Sequence, residues 1–138
     1  MNATKEPVAP EPDASPGYEC PCCGHPTLPS RGLYEICPLC LWEDDPGYDP
    51  AHPEAAAGWA NGKYTLAQAR ANFAKHLTMY DESDERFAES ERTKATKREL
   101  IATYEALEHA PPSERPALLE RIAAHKQTLL EEVIASMD

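Results

Sequence analysis

The spacing of apolar residues divides the chain into an irregular first half and a helical second half. Before residue 62, apolar residues stand between prolines, glycines and cysteines, and short segments such as 33–36 have the length of a brief strand. From Thr65 onward, apolar residues recur at intervals of three and four, as on one face of a helix. The pattern therefore predicts short strands followed by helices.

The first predicted helix begins at Thr65. Thr65 and Gln68 have the spacing of a capping box, in which each side chain bonds to the backbone N–H of the other residue. We expect this helix to end near Asp81 and to cover the segment before it. Its apolar stripe consists of Leu66, Ala69, Phe73, Leu77 and Tyr80.

Two further helices are predicted to form an antiparallel hairpin. The first covers 93–109 and ends before two consecutive prolines, which cannot continue a helix. The second follows Ser113 as its cap, with Pro116 in its first turn. A loop this short favours antiparallel neighbours. The expected buried faces are Leu100, Ile101, Tyr104 and Leu107 on the first of these helices, and Leu119, Ile122, Leu130, Val133 and Met137 on the second.

Composition indicates that apolar burial alone does not fold this chain. Hydrophobic residues make up 41% of 138 residues, but 21 of them are alanine, and Leu, Ile, Val and Phe together number 20. With a formal net charge of −11, such a chain usually stays unfolded without a metal or a partner. The acidity is greatest over 18–60, where one arginine faces seven acidic residues. This charge disfavours binding to nucleic acid and favours a basic protein partner.

Four of the five cysteines have the spacing of a metal site. They form two CxxC knuckles, the second beginning at Cys37, with 13 residues between the knuckles. Two knuckles at this separation are typical of a zinc ribbon. We expect one structural Zn²⁺ ion, which contributes on the order of 10 kcal/mol to the folding of a small domain. The predicted ligands are Cys20, Cys23, Cys37 and Cys40.

Other readings of the cysteines remain open at this point. Iron in a rubredoxin-like site is the alternative ion, and disulfides or a redox-active dithiol are alternatives to a metal. Cys22 is expected to point away from the ion, although a reactive thiol that senses oxidants is also conceivable at this position.

These observations together predict a small α+β fold. A disordered, proline-rich tail covers 1–17, a zinc-ribbon domain with short strands and a covering helix covers 18–92, and the helical hairpin covers 93–138.

The cysteine-rich segments resemble the cysteine-rich CPCC family of small bacterial proteins. The resemblance rests on YECPCCGHPTL at 18–28 and GLYEICPLCLWEDD at 32–45, and it continues to about residue 94. The chain differs at Leu41, where the family more often has Phe. The resemblance implies a metal site and supports the predicted fold, but it implies little about function.

The expected function is a non-enzymatic module that binds a basic protein, for example as an immunity protein that neutralises a toxin or nuclease. A closed four-thiolate site has no open position for a substrate. The acidic run Glu43, Asp44 and Asp45 is the candidate partner-binding segment. Neither His nor Ser lies at a catalytic spacing from it, and such a run is more often a solvated acidic turn than a catalytic set. A redox protein acting through Cys22 is the alternative function, and a nucleic-acid-associated regulator is the third.

The sequence lacks an apolar run long enough to span a membrane, so a cytoplasmic location is expected. The oligomeric state stays open.

Overall fold

Three α-helices follow an irregular, cysteine-rich segment. The structure, a computed structural model, describes residues 16–47, 49–55 and 60–137. Helix α1 covers Leu66–His76 and α2 covers Glu91–His109; a 3-10 turn, Pro112–Glu114, leads into α3, Arg115–Ser136. The predicted tail at 1–17 lies outside the described residues except for its last two positions.

The cysteine-rich segment folds as two loops, each closed by a single antiparallel bridge. Tyr18 pairs with Leu28 around the first knuckle, and Ile36 pairs with Glu43 around the second. Over the described residues these bridges are isolated pairs, so the predicted α+β class with short strands is not supported. Tyr34 explains why 33–36 forms no strand: its φ of 63° interrupts an extended backbone.

Helix α1 begins as predicted and ends five residues earlier than predicted. Both bonds of the capping box between Thr65 and Gln68 are present. The helix stops because Leu77 adopts a left-handed φ of 64° and its N–H donates to the carbonyl of Phe73. The N–H of Met79 then donates to the Cys40 carbonyl at 2.9 Å, which directs the chain back onto the second knuckle.

Helices α2 and α3 form the predicted antiparallel hairpin. Arg92 near the start of α2 pairs with Glu132 near the end of α3 at 3.2 Å. At the other end, the Arg115 side chain donates to the Leu107 carbonyl at 3.1 Å. Within the described residues, none of the helices is long and apolar enough to cross a membrane.

The boundaries of the hairpin differ from the prediction at two points. Helix α2 begins at Glu91, two residues early, because the Ser90 hydroxyl accepts from the N–H of Thr93 and caps the helix there. Ser113 is not a cap, since it lies inside the 3-10 turn, and α3 begins at Arg115 without a side-chain cap.

The buried face of α3 also differs from the prediction. Leu118, Ile122 and Leu129 are buried, whereas the predicted core residues Leu130 and Val133 are 51% and 44% exposed. The three buried residues are separated by four and seven positions and therefore share a narrow stripe. Because Glu132 already lies beside the first turn of α2, the residues that follow it, including Met137, extend past that helix.

The core is centred on the cysteines. Trp42 has no exposed surface and packs in one cluster with both knuckles and all three helices. Lys97 is buried as well, and its ammonium bonds to the Glu89 carboxylate at 2.6 Å and to the Leu77 carbonyl at 2.7 Å. This contact ties α2 to the end of α1.

Candidate metal centre

Four thiols converge on one point between the two loops. The Sγ atoms of Cys20, Cys23, Cys37 and Cys40 all lie within 4.8 Å of one another. Cys20 and Cys40 are 3.6 Å apart, and Cys23 and Cys37 are 3.7 Å apart. A tetrahedral zinc ion with Zn–S bonds of about 2.3 Å requires sulfur separations of about 3.8 Å. A disulfide requires about 2.05 Å, so the four thiols are free and suited to one metal ion.

The two knuckles have the same backbone turn. The N–H of Gly24 donates to the Cys20 carbonyl at 2.8 Å, and the N–H of Leu41 donates to the Cys37 carbonyl at 2.9 Å. Both donors have a positive φ, 79° at Gly24 and 76° at Leu41. Glycine accepts this conformation freely, whereas leucine incurs about 1–2 kcal/mol. Leu41 is partly buried against the core, and that burial offsets the cost.

Hydrogen-bond donors surround the sulfur of Cys37. The backbone N–H groups of Leu39 and Cys40 lie 3.4 and 3.5 Å from this sulfur, and the hydroxyl of Thr27 donates to it at 3.0 Å. The N–H of Trp42 donates to the Cys40 sulfur at 3.5 Å. Donors of this kind stabilise a thiolate. Thr27 is fully buried, and its role was missed because nothing in the sequence marks it.

The pKa values of the thiols differ sharply within the cluster. Burial raises the pKa of Cys37, but hydrogen bonds from the other thiols and from Thr27 outweigh it, so this pKa lies well below the usual range. Burial and the neighbouring thiols raise the pKa of Cys40, and hydrogen bonds with Cys20 and Cys37 raise that of Cys23. Four buried thiols cannot all ionise unaided, and a bound cation would supply the charge that lets them do so.

Cys22 lies beside the cluster without belonging to it. It is not one of the four converging thiols, yet it is 7% exposed and is among the neighbours that, after burial, raise the pKa of Cys40. Cys22 is thus outside the predicted ligand set, and the expectation that its side chain points away from the ion stays a prediction.

Two of the three acidic residues after the second knuckle face inward. Asp44 has no exposed surface, and its carboxylate accepts from the N–H of Gly32 at 2.6 Å and from Arg31 at 3.1 Å. Asp45 is 4% exposed and accepts from the N–H of Gly47 at 2.7 Å. The sequence suggested a solvated acidic run, and the structure corrects this: backbone amides hold the carboxylates inside the loop.

Glu43 is half-buried, and its backbone is held by Asn61. The Asn61 side chain accepts from the Glu43 N–H and donates to the Glu43 carbonyl, both at 2.8 Å. Asn61 is therefore a structural residue of the second loop that the sequence analysis did not assign. Partner binding through Glu43, Asp44 and Asp45 stays a prediction, and Glu43 is the most accessible of the three.

The helical hairpin reaches the segment that follows the first knuckle. The Tyr104 ring of α2 stacks on His25, with centroids 5.6 Å apart and planes 19° apart. Lys126 of α3 donates to the Thr27 carbonyl at 3.2 Å. Burial lowers the pKa of Lys126, and the charge of Cys37 opposes that shift. The sequence analysis assigned neither residue to the site, because the contacting residues are far apart in sequence. Tyr104 is 79 positions from His25, and Lys126 is 99 positions from Thr27.

The family described as cysteine-rich CPCC matches residues 18–94, which is more than half of the chain. No curated protein and no solved structure matches the chain. The matched segment contains both knuckles and α1 and ends in the first turn of α2. Tyr104, Lys126 and all of α3 lie beyond it.

Proposed function

The chain belongs to the cysteine-rich CPCC family, and from the thiol cluster in its family segment we propose that it is a non-enzymatic, zinc-stabilised module for protein interaction. The observation that carries the zinc part is the sulfur geometry, with separations of 3.6 and 3.7 Å against about 3.8 Å for tetrahedral zinc. Two bridged knuckles around one ion amount to a minimal zinc ribbon.

The proposed ion is structural. Cys20, Cys23, Cys37 and Cys40 would occupy all four positions of a tetrahedral ion, which leaves none for water or substrate. The ion's part is then to hold the two loops together and to build the core around them. Iron in the same site would make the protein coloured, whereas zinc would leave it colourless.

The interaction part is supported by apolar side chains that the fold leaves exposed. On the second loop, Leu33, Tyr34 and Ile36 are 53–67% exposed, and near the end of α3 Val133 is 44% exposed. A groove of about 870 Å³ lies between these two regions, and Ile36 and Val133 line it. Exposed apolar surface of this kind marks interaction sites.

The lining of this groove favours a basic partner. Four glutamates line it, against one arginine, whose guanidinium is paired with Asp84 at 2.9 Å. Two of the glutamates are paired as well, Glu89 with Lys97 at 2.6 Å and Glu132 with Arg92 at 3.2 Å, so the negative charge that faces a partner comes from the other two. Opposite charge speeds association and selects partners. We therefore propose a basic protein as the occupant, with a toxin or nuclease as the intended target of an immunity-like function. The four glutamates are Glu43, Glu85, Glu89 and Glu132.

Native mass spectrometry of the protein isolated from its own host tests both parts of the proposal. We expect the mass of one zinc ion and a bound protein with an isoelectric point above neutrality. Ile36→Lys should abolish the complex, because it places a positive charge in the groove. Ala102→Lys, on the exposed face of α2, adds the same charge elsewhere and should leave the complex intact. Recovery of zinc-free protein would overturn the zinc part of the proposal. A partner that binds the Ile36→Lys and Ala102→Lys variants equally well would overturn the interaction part.

A further inference from the structure

The helical hairpin carries groups that lie next to the thiol cluster although they come from outside the family segment. Thr27 links the two regions: its hydroxyl donates to the Cys37 sulfur at 3.0 Å, and its carbonyl accepts from Lys126 at 3.2 Å. One residue thus separates the ammonium of α3 from the sulfur of Cys37.

Tyr104 provides a second link. It is 2% exposed, and its ring stacks on His25, two residues after the first knuckle's Cys23. Its hydroxyl is buried without a hydrogen-bond partner, and its pKa is raised by burial and then by the charges of Cys37 and Cys23. Because the charges of Cys37 and Cys23 act on this hydroxyl, it belongs to the surroundings of the cluster.

Charge provides the physical reason for these contacts. Four thiolates and one divalent ion carry a net charge of −2, and burying that charge is unfavourable without compensation. Backbone N–H groups supply part of the compensation as dipoles. Lys126 is half-buried and supplies a full positive charge, whose interaction with the cluster is weakly screened in the interior.

We propose that the hairpin of α2 and α3 is part of the metal site, with Lys126 as the group that balances the charge of a divalent tetrathiolate complex and Tyr104 as its hydroxyl neighbour. Ion retention and docking of the hairpin are then coupled, and each strengthens the other. This inference rests on the zinc part of the proposed function and is independent of the identity of any protein partner.

Competition for zinc against a chelator in solution tests the role of Lys126 in the full chain. Lys126→Met keeps the aliphatic stem and removes the charge, and we expect about a tenfold loss of zinc affinity, as for other residues that support metal ligands. Lys126→Arg should restore most of the affinity. Arg121→Met removes an exposed charge from the same helix and should have no effect. Equal affinities of Lys126→Met and the unchanged protein would overturn the inference.

Measuring the reduction potential of the iron-loaded full chain distinguishes charge balance by Lys126 from a merely structural role of this residue. Reduction changes the tetrathiolate iron complex from −1 to −2, so a nearby positive charge raises the potential. We expect Lys126→Met to lower it. If the variant only loosened the hairpin, water would enter, stabilise the more charged reduced form and raise the potential. An unchanged or raised potential would therefore overturn the inference.

The same experiments distinguish this inference from the proposed zinc site. Failure of the unchanged protein to bind zinc would remove both. Tight zinc binding that does not respond to Lys126→Met would leave the proposed function standing and remove the role of the hairpin.

Discussion

At the scale of single residues, the Thr27 hydroxyl donates a hydrogen bond whose contribution to stability can be measured. Its oxygen donates to the Cys37 sulfur, and the residue has no exposed surface. We expect Thr27→Val, which keeps the shape and removes the donor, to lower the free energy of unfolding of the zinc-loaded protein by about 1.5–3 kcal/mol. Guanidinium denaturation would measure the change.

Thr27→Ser is the matched control for this prediction. It keeps the hydroxyl and removes one methyl group, so it should lower the free energy of unfolding by about 1 kcal/mol. If the serine variant were as unstable as the valine variant, packing and not the hydrogen bond to sulfur would account for the effect.

Lys97 gives a second prediction at this scale, because a buried charge is unfavourable once its partner is lost. Its ammonium lies 2.6 Å from Glu89, and the two side chains are 1% and 11% exposed. Lys97→Met leaves the Glu89 carboxylate unpaired, and we expect a loss of about 3–5 kcal/mol in unfolding free energy. The change would be measured by thermal or denaturant unfolding.

Lys94 provides the comparison on the same helix. It pairs with Glu91 at 3.6 Å, and both side chains are exposed to solvent. Lys94→Met should therefore change the unfolding free energy by less than about 0.5 kcal/mol. Similar losses for the Lys94 and Lys97 variants would show that burial of the Lys97 pair has no special effect.

At the scale of elements, a local sequence signal predicted where α1 begins but not where it ends. The capping box of Thr65 and Gln68 is a local feature and is confirmed. The end of α1 depends on Leu77 turning left-handed so that Met79 can bond to Cys40, a contact between distant parts of the chain. Apolar periodicity could not reveal this contact, and it extended the helix to Asp81.

The capping box itself leads to a prediction about α1. Thr65→Ala removes the side chain that accepts from the N–H of Gln68 at 3.1 Å. We expect a loss of about 1 kcal/mol in unfolding free energy, measured by denaturant titration. Thr65→Ser keeps the acceptor and should lose much less. A neutral alanine variant would mean that the helix start is held by the Gln68 side chain alone.

The buried faces of the hairpin were predicted unequally for a geometric reason. Leu100, Tyr104 and Leu107 of α2 are buried as expected, since α2 has a partner along its whole length. Helix α3 extends past α2 after Glu132, so apolar spacing there marks a stripe that the fold leaves exposed. Periodicity shows that residues share a face, but the length of the neighbouring helix decides which part of that face is covered.

At the scale of the whole molecule, the cysteine spacing predicted the centre of the fold and missed its surroundings. The thiols of Cys20, Cys23, Cys37 and Cys40 converge as their spacing indicates. The groups around them, such as Tyr104 and Lys126, come from helices that follow much later in the chain. Such positions follow from how the hairpin docks, which the spacing of cysteines does not encode.

Removal of the proposed ion should have a global effect. Structural zinc contributes on the order of 10 kcal/mol, which is comparable to the whole stability of a small domain at about 5–15 kcal/mol. We expect a strong chelator to abolish the ordered NMR signals of residues 18–47, and one equivalent of Zn²⁺ to restore them. Mg²⁺, which prefers oxygen ligands, should not restore them. A spectrum unaffected by the chelator would contradict a folding role for the ion.

The order of these groups along the chain bears on how the protein assembles while it is being made. The thiols all lie within residues 20–40, whereas Lys126 comes 99 positions after its partner Thr27. Chains grow at roughly 5–20 residues per second, so the cysteines leave the ribosome several seconds before α3 exists. If the four cysteines bind the proposed ion, a nascent chain can bind it first, and the hairpin docks last, onto loops that are already folded.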